Sequence, residues 1–548
     1  MTTGVTAHLD TFARDRLPAP EMQPRFRFDL AGLSYPERLN AGTALLDEAL
    51  SELGERPCVH LDDGVWSYAD LAERSNRIAR VLVEDMGLAP GNRVLLRAAN
   101  TPELIACWFA ILKAGGVVVA TMPLLRAGEL EKVIERAQVS HALTDARLTE
   151  ELEEARGRQP VLEQVMSFGP GGELEQRLGG KAADFDPVET MSDDVALIAF
   201  TSGTTGQPKG CVHFHRDILA VCDTYARHIL APTSDDVFTG TPPLAFTFGL
   251  GGLVLFPMRF GASTVPIERP SPEALLEAIG RRGITTLFTA PTAYRALLRE
   301  PGLAGLKTLR TCVAAGETLP AATSEAWFEQ TGIRILDGIG STEMLHIFIS
   351  ASADRVKPGS TGLPVPGYEA RVVGEAMETL VAGEVGRLAV RGPTGCRYLA
   401  DERQAEYVVD GWNLTGDAYL VDEDGYFWFQ ARADDMIVSS GYNISAPEVE
   451  AALLTHPAVV ECAVVASPDP ERGAVVKAFV VAAEDADPGP ALAGELQAHV
   501  KATIAPYKYP RQVEFLDTLP KTATGKIQRY RLRQLEDGPP PATAQDAA

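Results

Sequence analysis

No C-x-x-C pair and no Cys/His set with the spacing of zinc ligands occurs among the seven cysteines, at 58, 107, 211, 222, 312, 396 and 462, so spacing supports neither a zinc site nor a disulfide framework. They read as small apolar packing residues in a reducing compartment. No apolar run is long enough to span a bilayer, and the opening MTTGVTAHLDTFARDRLP has acidic residues and no apolar core. Neither membrane insertion nor a secretory signal is expected, and a cytoplasmic location is. No Lys/Arg block interrupts the formal net charge of −24. Such a field repels polyanions, which removes nucleic acid as a partner. It does not remove a small anionic ligand, because a nest of backbone N–H groups with one or two cations outweighs a distant negative surface. Internal repeats are also absent.

What is present is the bulk of an ordinary globular chain, with 548 residues of which 45% are apolar and 23% charged. That length exceeds what one hydrophobic core holds, so two or more domains are expected. Between residues 65 and 122, Tyr68 to Met86 has helical apolar spacing, NRVLLRAA is strand-like, LIACWFAILKAG reads as a buried helix and GVVVATM as a strand. This βαβ order implies a parallel sheet. The alternation recurs through residues 195–200, 274–279, 285–290 and 308–316. From Gly359 to Phe429 short strands with Gly and Asp turns suggest a β-rich subdomain, and after Arg432 the helix–strand–strand–helix–strand order suggests a compact α+β domain.

The most informative segment is Thr201-Ser202-Gly203-Thr204-Thr205-Gly206-Gln207-Pro208-Lys209-Gly210, directly after the apolar strand VALIAF. Its hydroxyls, glycines and lysine can present backbone N–H groups, side-chain donors and one cation to phosphates. Most Ser/Thr/Gly turns bind nothing. Here the density of small donors, the Pro-Lys-Gly that follows and the position after a buried strand favour phosphate. The Walker pattern is not met, because Gly210 follows Lys209.

This segment resembles the phosphate loop of the adenylate-forming superfamily, which holds acyl-CoA synthetases, carrier-protein-loading adenylation domains and luciferases. Further motifs of that family follow in order across nearly the whole chain. AAGETLP (314–320), with Gly316 and Glu317, resembles the adenine-side loop, and DGIGSTE (337–343) the acidic nucleotide motif. WNLTGD (412–417) resembles the ribose-binding turn, ARADD (431–435) the hinge, and PKTATGK (520–526) the terminal catalytic loop. Ile339 stands where the family often has an aromatic residue, and Ala431 where the hinge motif usually begins with Gly. The implied fold is α/β: a large multi-subdomain N-terminal domain of layered α/β sheets plus a small β-rich subdomain, with a smaller mobile α+β C-terminal domain. The expected boundaries are 1–433 for the adenylation domain, 434–536 for the C-terminal domain and 537–548 for a disordered tail.

By that resemblance the chain uses ATP, Mg²⁺ and coenzyme A, and Lys526, Thr342 and Glu343 are catalytic. Glu343 would hold the Mg²⁺, an ion suited to hard oxygen ligands, and Thr342 would donate to the α-phosphate. Asp337 belongs to the nucleotide site, Asp417 would accept from the ribose hydroxyls, and Arg432 would fork onto ribose or phosphate oxygens. Lys526 would stabilise charge as the carboxylate attacks phosphorus in line. Taken singly, Glu343 is a helix-start acid, Asp417 a turn acid and Lys526 a surface lysine. Asp434 occupies the hinge position, about which rotation would withdraw Lys526 and bring Ser440, Gly441 and Tyr442 to a pantetheine tunnel. Gly441 suits close backbone approach. Arg472 and Lys477 stand open between partners of CoA phosphates and exposed strand-edge cations.

Two apolar segments, PPLAFTFGLG (242–251) and EMLHIF (343–348), suit a flat hydrophobic acid held by few hydrogen bonds. They resemble the benzoate-type branch of the CoA ligases, 2-aminobenzoate–CoA ligases especially. The resemblance implies that Thr247, Phe248, Gly340, His346 and Ile347 line the aryl site. Benzoate ligases tend to have Ala then Tyr at the first two positions. A Thr247 hydroxyl left unpaired in an apolar pocket costs roughly 1–3 kcal/mol, which a ring amino or hydroxyl group would relieve. The alternative is that Thr247 bonds to backbone and Phe248 is core. His213 and His215 fit alternation on a strand leading into a helix better than a metal site, and Cys211 fits packing.

Expected partners are a small aryl carboxylic acid, ATP and CoA, and the expected assembly is a monomer or homodimer. Two rival readings exist: a stand-alone enzyme loading a carrier-protein phosphopantetheine, and a silent nucleotide-binding protein. No carrier-like segment occurs in the chain, and joint retention of Lys209, Glu343, Asp417 and Lys526 argues against silence.

Overall fold

The computed structural model describes residues 5–201, 208–303, 306–432, 437–439, 442–469, 472–504, 506–521 and 527–536. A six-stranded sheet has the order Gln164–Phe168, His141–Asp145, Arg93–Arg97, Val117–Thr121, Val195–Thr201 and Lys209–Phe214, parallel except at the last pair. A nine-stranded sheet runs Leu363–Pro364, Ile347–Ser350, Ile335–Gly340, Thr311–Ala314, Thr286–Thr289, Val237–Gly240, Ser263–Val265, Pro57–Leu61 and Gly64–Ser67. Its middle strands are parallel and both of its edges antiparallel.

Parallel strands covered on both faces are buried throughout, as Arg93–Arg97 and His141–Asp145 are at every residue. The helix Pro102–Lys113 follows the same logic. The Thr101 hydroxyl caps it by accepting from the Leu104 N–H, and Pro102 occupies the first position, where a missing N–H costs nothing. Every residue from Leu104 to Lys113 is buried, as in a helix apolar on all sides. Lys113 ends it with its charge satisfied, donating to Asp47 at 2.6 Å and Asn76 at 2.8 Å. Helix Tyr68–Arg80 instead keeps a polar face and starts from a reciprocal Ser67/Asp70 capping box.

Past Gly359 the chain turns to short strands, including Glu369–Val373, Gly386–Arg391, Trp412–Val421 and Phe427–Arg432. After Arg432 a ribbon of Ile437–Ser439 with Tyr442–Ile444 precedes a sheet of Val459–Asp469, Gly473–Ala482 and Gln512–Phe515. Period-two alternation sends Cys462 and Val464 against helices Ala446–Leu454 and Pro490–Thr503, while Ala463 and Val465 pack with Leu519 and Leu532. The architecture is therefore α/β, with a large N-terminal domain of several sheets and a smaller C-terminal domain. By compactness the chain divides into one unit of Met1–Ala315, Thr323–Ala370 and Ala389–Leu414 and a second of Gly316–Ala322, Arg371–Leu388 and Thr415–Ala548. All seven cysteines are buried free thiols. Among the described residues no helix is long and apolar enough to cross a membrane.

Candidate active site

Strands Val195–Thr201 and Lys209–Phe214 pair with Thr201 opposite Lys209, so the two ends of the expected phosphate loop are neighbours. Ser202, Gly203, Thr204, Thr205 and Gly206 lie outside the described residues, as do Asp434, Ser440, Gly441, Lys526 and the 537–548 tail.

Residues 396–399 run alongside Lys209–Phe214: the Val212 N–H donates to the Arg397 carbonyl and the Leu399 N–H to the Gly210 carbonyl, each at 2.8 Å. This pairing delivers Tyr398. Lys209 Nζ donates to the Tyr398 hydroxyl at 2.8 Å, and that hydroxyl donates to Glu343 Oε1 at 2.6 Å. Nζ and Oε1 are 3.8 Å apart, and the ammonium lies 4.7 Å from the centre of the Tyr398 ring. Tyr398 is 1% exposed, and burial followed by the Glu343 charge drives its phenol far above the ordinary range, so it stays protonated.

The acidic motif is a hairpin. Strand Ile335–Gly340 turns and returns as Ile347–Ser350, with Gly340 opposite Ile347. In the turn Ser341 Oγ accepts from the Met344 N–H, and Leu345 takes a left-handed φ of 68°. His213 Nε2 lies 2.8 Å from the Thr342 carbonyl. A carbonyl only accepts, so that nitrogen is assigned the proton. Burial pushes the imidazole down to about 4, more than Asp217 raises it, and the ring is neutral at pH 7. His215 Nδ1 accepts from the Ala41 N–H at 3.1 Å, and burial pushes it down to about 3. Both histidines therefore bind backbone. Arg397, fully buried, pairs with Asp217 at 2.7 Å between the Phe26 and Phe214 rings. Burial pushes the Asp337 carboxyl up to about 8.

Thr247 and Phe248 open the short helix Thr247–Leu250. His346, 2% exposed, sits among rings at centroid distances of 4.6 Å (Phe256), 5.3 Å (Tyr225), 5.8 Å (Phe248) and 6.4 Å (Phe288). Gly251 permits this, since a Cβ there would stand 2.3 Å from His346 Cδ2, and a Cβ on Gly340 would stand 2.8 Å from the His346 carbonyl. Neither imidazole nitrogen makes a well-formed hydrogen bond, and burial pushes the ring down to about 3. The structure thus gathers Phe248, Gly340, His346 and Ile347, with Thr247 beside Phe248. A cleft bordering the same segment is lined by Leu96, Leu104, Trp108, Leu244, Leu250 and Val254 among others, and by none of these five.

In the second unit Asp417 and Arg432 stand in register on paired strands, Arg432 Nη1 lying 3.0 Å from Asp417 Oδ1. Gly416 makes room: its φ is +77°, and a Cβ there would stand 3.0 Å from Arg432 Nη2. Gly316 is exposed at φ +89°, with Glu317 half-buried beside it. Tyr442 pairs with Ser439 in the two-stranded ribbon. Lys477 ion-pairs with Glu514 at 2.7 Å.

Sequence reasoning did not reach Tyr398, Arg397 and Asp217, or the Tyr225, Phe256 and Phe288 rings. Tyr398 is 55 residues from Glu343 and 189 from Lys209, and no spacing rule links such positions.

Two family models match the chain: AMP-binding enzyme over residues 46–398 and AMP-binding enzyme C-terminal domain over residues 448–526. The chain is 38% identical to the benzoate–CoA ligase of Thauera aromatica over 510 residues, covering 91% of this chain and 97% of that one. A solved anthranilate CoA ligase in complex with anthranoyl-AMP superposes with a TM-score of 0.87 at 34% identity, covering 92% and 98% of the two chains. A benzoate CoA ligase from Burkholderia xenovorans LB400 gives 0.83 at 32% identity, covering 90% and 100%.

Proposed function

The chain belongs to the AMP-binding enzyme family and is an acid–thiol ligase working with ATP and coenzyme A, and from that premise we propose that its acid is 2-aminobenzoate or a related benzoate. The carboxylate oxygen attacks the α-phosphorus of ATP and diphosphate leaves. The CoA sulfur then attacks the carbonyl carbon of the acyl-adenylate, the thiol proton is released and AMP leaves.

The observation that carries the substrate reading is His346. It is a buried neutral imidazole, poorly hydrogen-bonded, inside a cage of Tyr225, Phe248, Phe256 and Phe288. His346 itself fills this cage, and a benzoate ring would pack against the edges and faces of the cluster from outside it. An ortho amino group supplies N–H donors that a neutral imidazole nitrogen can accept, with the Thr247 hydroxyl as a second polar group beside Phe248.

On this reading Thr201, Ser202, Gly203, Thr204, Thr205, Gly206 and Lys209 cradle the phosphates, Gly316, Glu317 and Asp337 serve the adenine side, and Asp417 and Arg432 the ribose. Thr342 donates to the α-phosphate, and Lys526 stabilises the charge that develops there. Residues 1–433 are the adenylation domain. Residues 434–536, with Asp434 at the hinge, carry Lys526, and Ser440, Gly441 and Tyr442 serve the pantetheine arm. Among the described residues no three acidic, His or Cys side chains converge on a point. A lone buried carboxylate nevertheless fits Mg²⁺, which keeps waters and substrate phosphates as its other ligands. Glu343 would hold the ion, which would neutralise phosphate charge.

The test is acid-dependent AMP release from Mg·ATP with CoA, across benzoate, 2-aminobenzoate, hydroxybenzoates and short fatty acids, with mass spectrometry of the thioester. Fastest turnover of 2-aminobenzoate is the expected result. A thioester formed only from a non-aryl acid overturns the substrate reading, and acyl-adenylate without CoA ester moves the acceptor to a carrier-protein thiol.

A further inference from the structure

Tyr398 lies between two side chains that the proposed chemistry needs in opposite roles. Lys209 has to keep its ammonium for phosphate oxygens, and Glu343 has to keep a carboxylate oxygen for the metal. At 3.8 Å and mostly out of water, the two attract each other strongly. A direct contact pair would cancel both charges and take both groups out of the site. A phenol hydroxyl can accept from one and donate to the other, and the Tyr398 hydroxyl does so at 2.8 and 2.6 Å.

We infer that Tyr398 is a positioning residue for the magnesium–nucleotide step: its hydroxyl keeps Lys209 and Glu343 from collapsing onto each other and commits Glu343 Oε1, so that the other carboxylate oxygen would remain for the ion. The inference rests on the roles given above to Lys209 and Glu343. The tyrosine is itself tightly held. Its N–H donates to Gln404 Oε1 at 2.8 Å, its backbone pairs with Cys211, and its ring packs edge-on against Tyr407 at 5.7 Å within a cluster that includes Cys211, Cys396 and Val408. The Tyr407 hydroxyl lies 3.4 Å from Ser341 Oγ, so the same stretch of chain also touches the start of the S-T-E turn. The hydroxyl is thus placed by backbone pairing, in part with the strand that carries Lys209, and by ring packing, and not by the two side chains it separates, which is what a pre-set spacer requires.

Tyr398→Phe keeps the ring and its packing and removes the hydroxyl. Because a hydrogen bond to a charged group accounts for about a tenfold effect or more, the KM for Mg·ATP should rise by about tenfold, with a parallel rise in the Mg²⁺ needed for half-maximal adenylation. The KM values for acid and CoA should move by less than about twofold, and reaction of CoA with pre-formed acyl-adenylate should keep its wild-type rate. Tyr398→Met, of similar bulk and also without a hydroxyl, is carried alongside and should show the same split. Calorimetric Mg·ATP binding in a Glu343→Gln background separates positioning from packing, since Tyr398→Phe should cost no further affinity there. An equal cost in both backgrounds, an unchanged Mg²⁺ dependence, or a uniform loss across all three substrates overturns the inference. Wild-type protein that releases no AMP with any acid refutes the reading of the site together with this inference, whereas wild-type turnover with an unaltered Tyr398→Phe refutes the inference alone.

Discussion

Lowering the pH from 7 to 5 should weaken the larger unit through three buried imidazoles. Burial holds His213 down to about 4 and His215 and His346 down to about 3, whereas an unfolded chain has an ordinary histidine value near 6.5. Between those values the unfolded chain binds more protons than the folded one, so stability falls as pH drops below about 6.5 and continues to fall until the folded values are reached. At about 1.4 kcal/mol per pH unit, the 1.5 units from 6.5 to 5 cost about 2 kcal/mol per ring, or about 6 kcal/mol for three. Asp337 opposes this. Its carboxyl, pushed up to about 8, is protonated in the folded state while an unfolded aspartate is not. Falling from pH 7 to 5 therefore returns about 2–3 kcal/mol, and these four groups together lose about 3 kcal/mol; His8, His60 and His141, also held down by burial, act in the same direction as the three imidazoles. Urea unfolding at the two pH values, followed by tryptophan fluorescence, measures it. The sharper comparison is His346→Leu, whose pH effect should be smaller than the wild type's by about 2 kcal/mol. Identical pH dependence in the two proteins would refute the reasoning, since His346 would then have to carry a proton in the folded state at pH 5.

Three further outcomes are expected. Lys526→Ala should abolish adenylation and leave thioesterification of pre-formed acyl-adenylate largely intact, with equal loss of both half-reactions counting against the assigned role. Gly251→Ala places a methyl 2.3 Å from His346 Cδ2, so kcat/KM for the aryl acid should fall by about tenfold or more while the KM for ATP holds, at an overpacking cost of about 1–3 kcal/mol seen in chemical denaturation. Arg397→Met leaves the fully buried Asp217 carboxylate without its cation and should cost about 3–5 kcal/mol, part of it recovered when Asp217→Leu is added, which also gives up the Phe214 N–H bond.

The sequence by itself determined the elements and the contiguous motifs. Hydrophobic periods of two and 3.6 are set by backbone geometry, so NRVLLRAA, LIACWFAILKAG and GVVVATM were legible as strand, helix and strand, and they became Arg93–Arg97, Pro102–Lys113 and Val117–Thr121. The placement of His213 on a strand and His215 at the start of a helix followed from the same alternation. The expected T-G-D turn instead lies within strand Trp412–Val421, where Gly416 takes a φ of +77° that glycine adopts without strain while Arg432 packs beside it. Which backbone groups the two histidines hold, which four rings surround His346, and that Tyr398 separates Lys209 from Glu343 were decided by tertiary structure alone. Those contacts join side chains tens to nearly two hundred residues apart, and they depend on the order and register of strands in two sheets, which no local pattern of residues encodes.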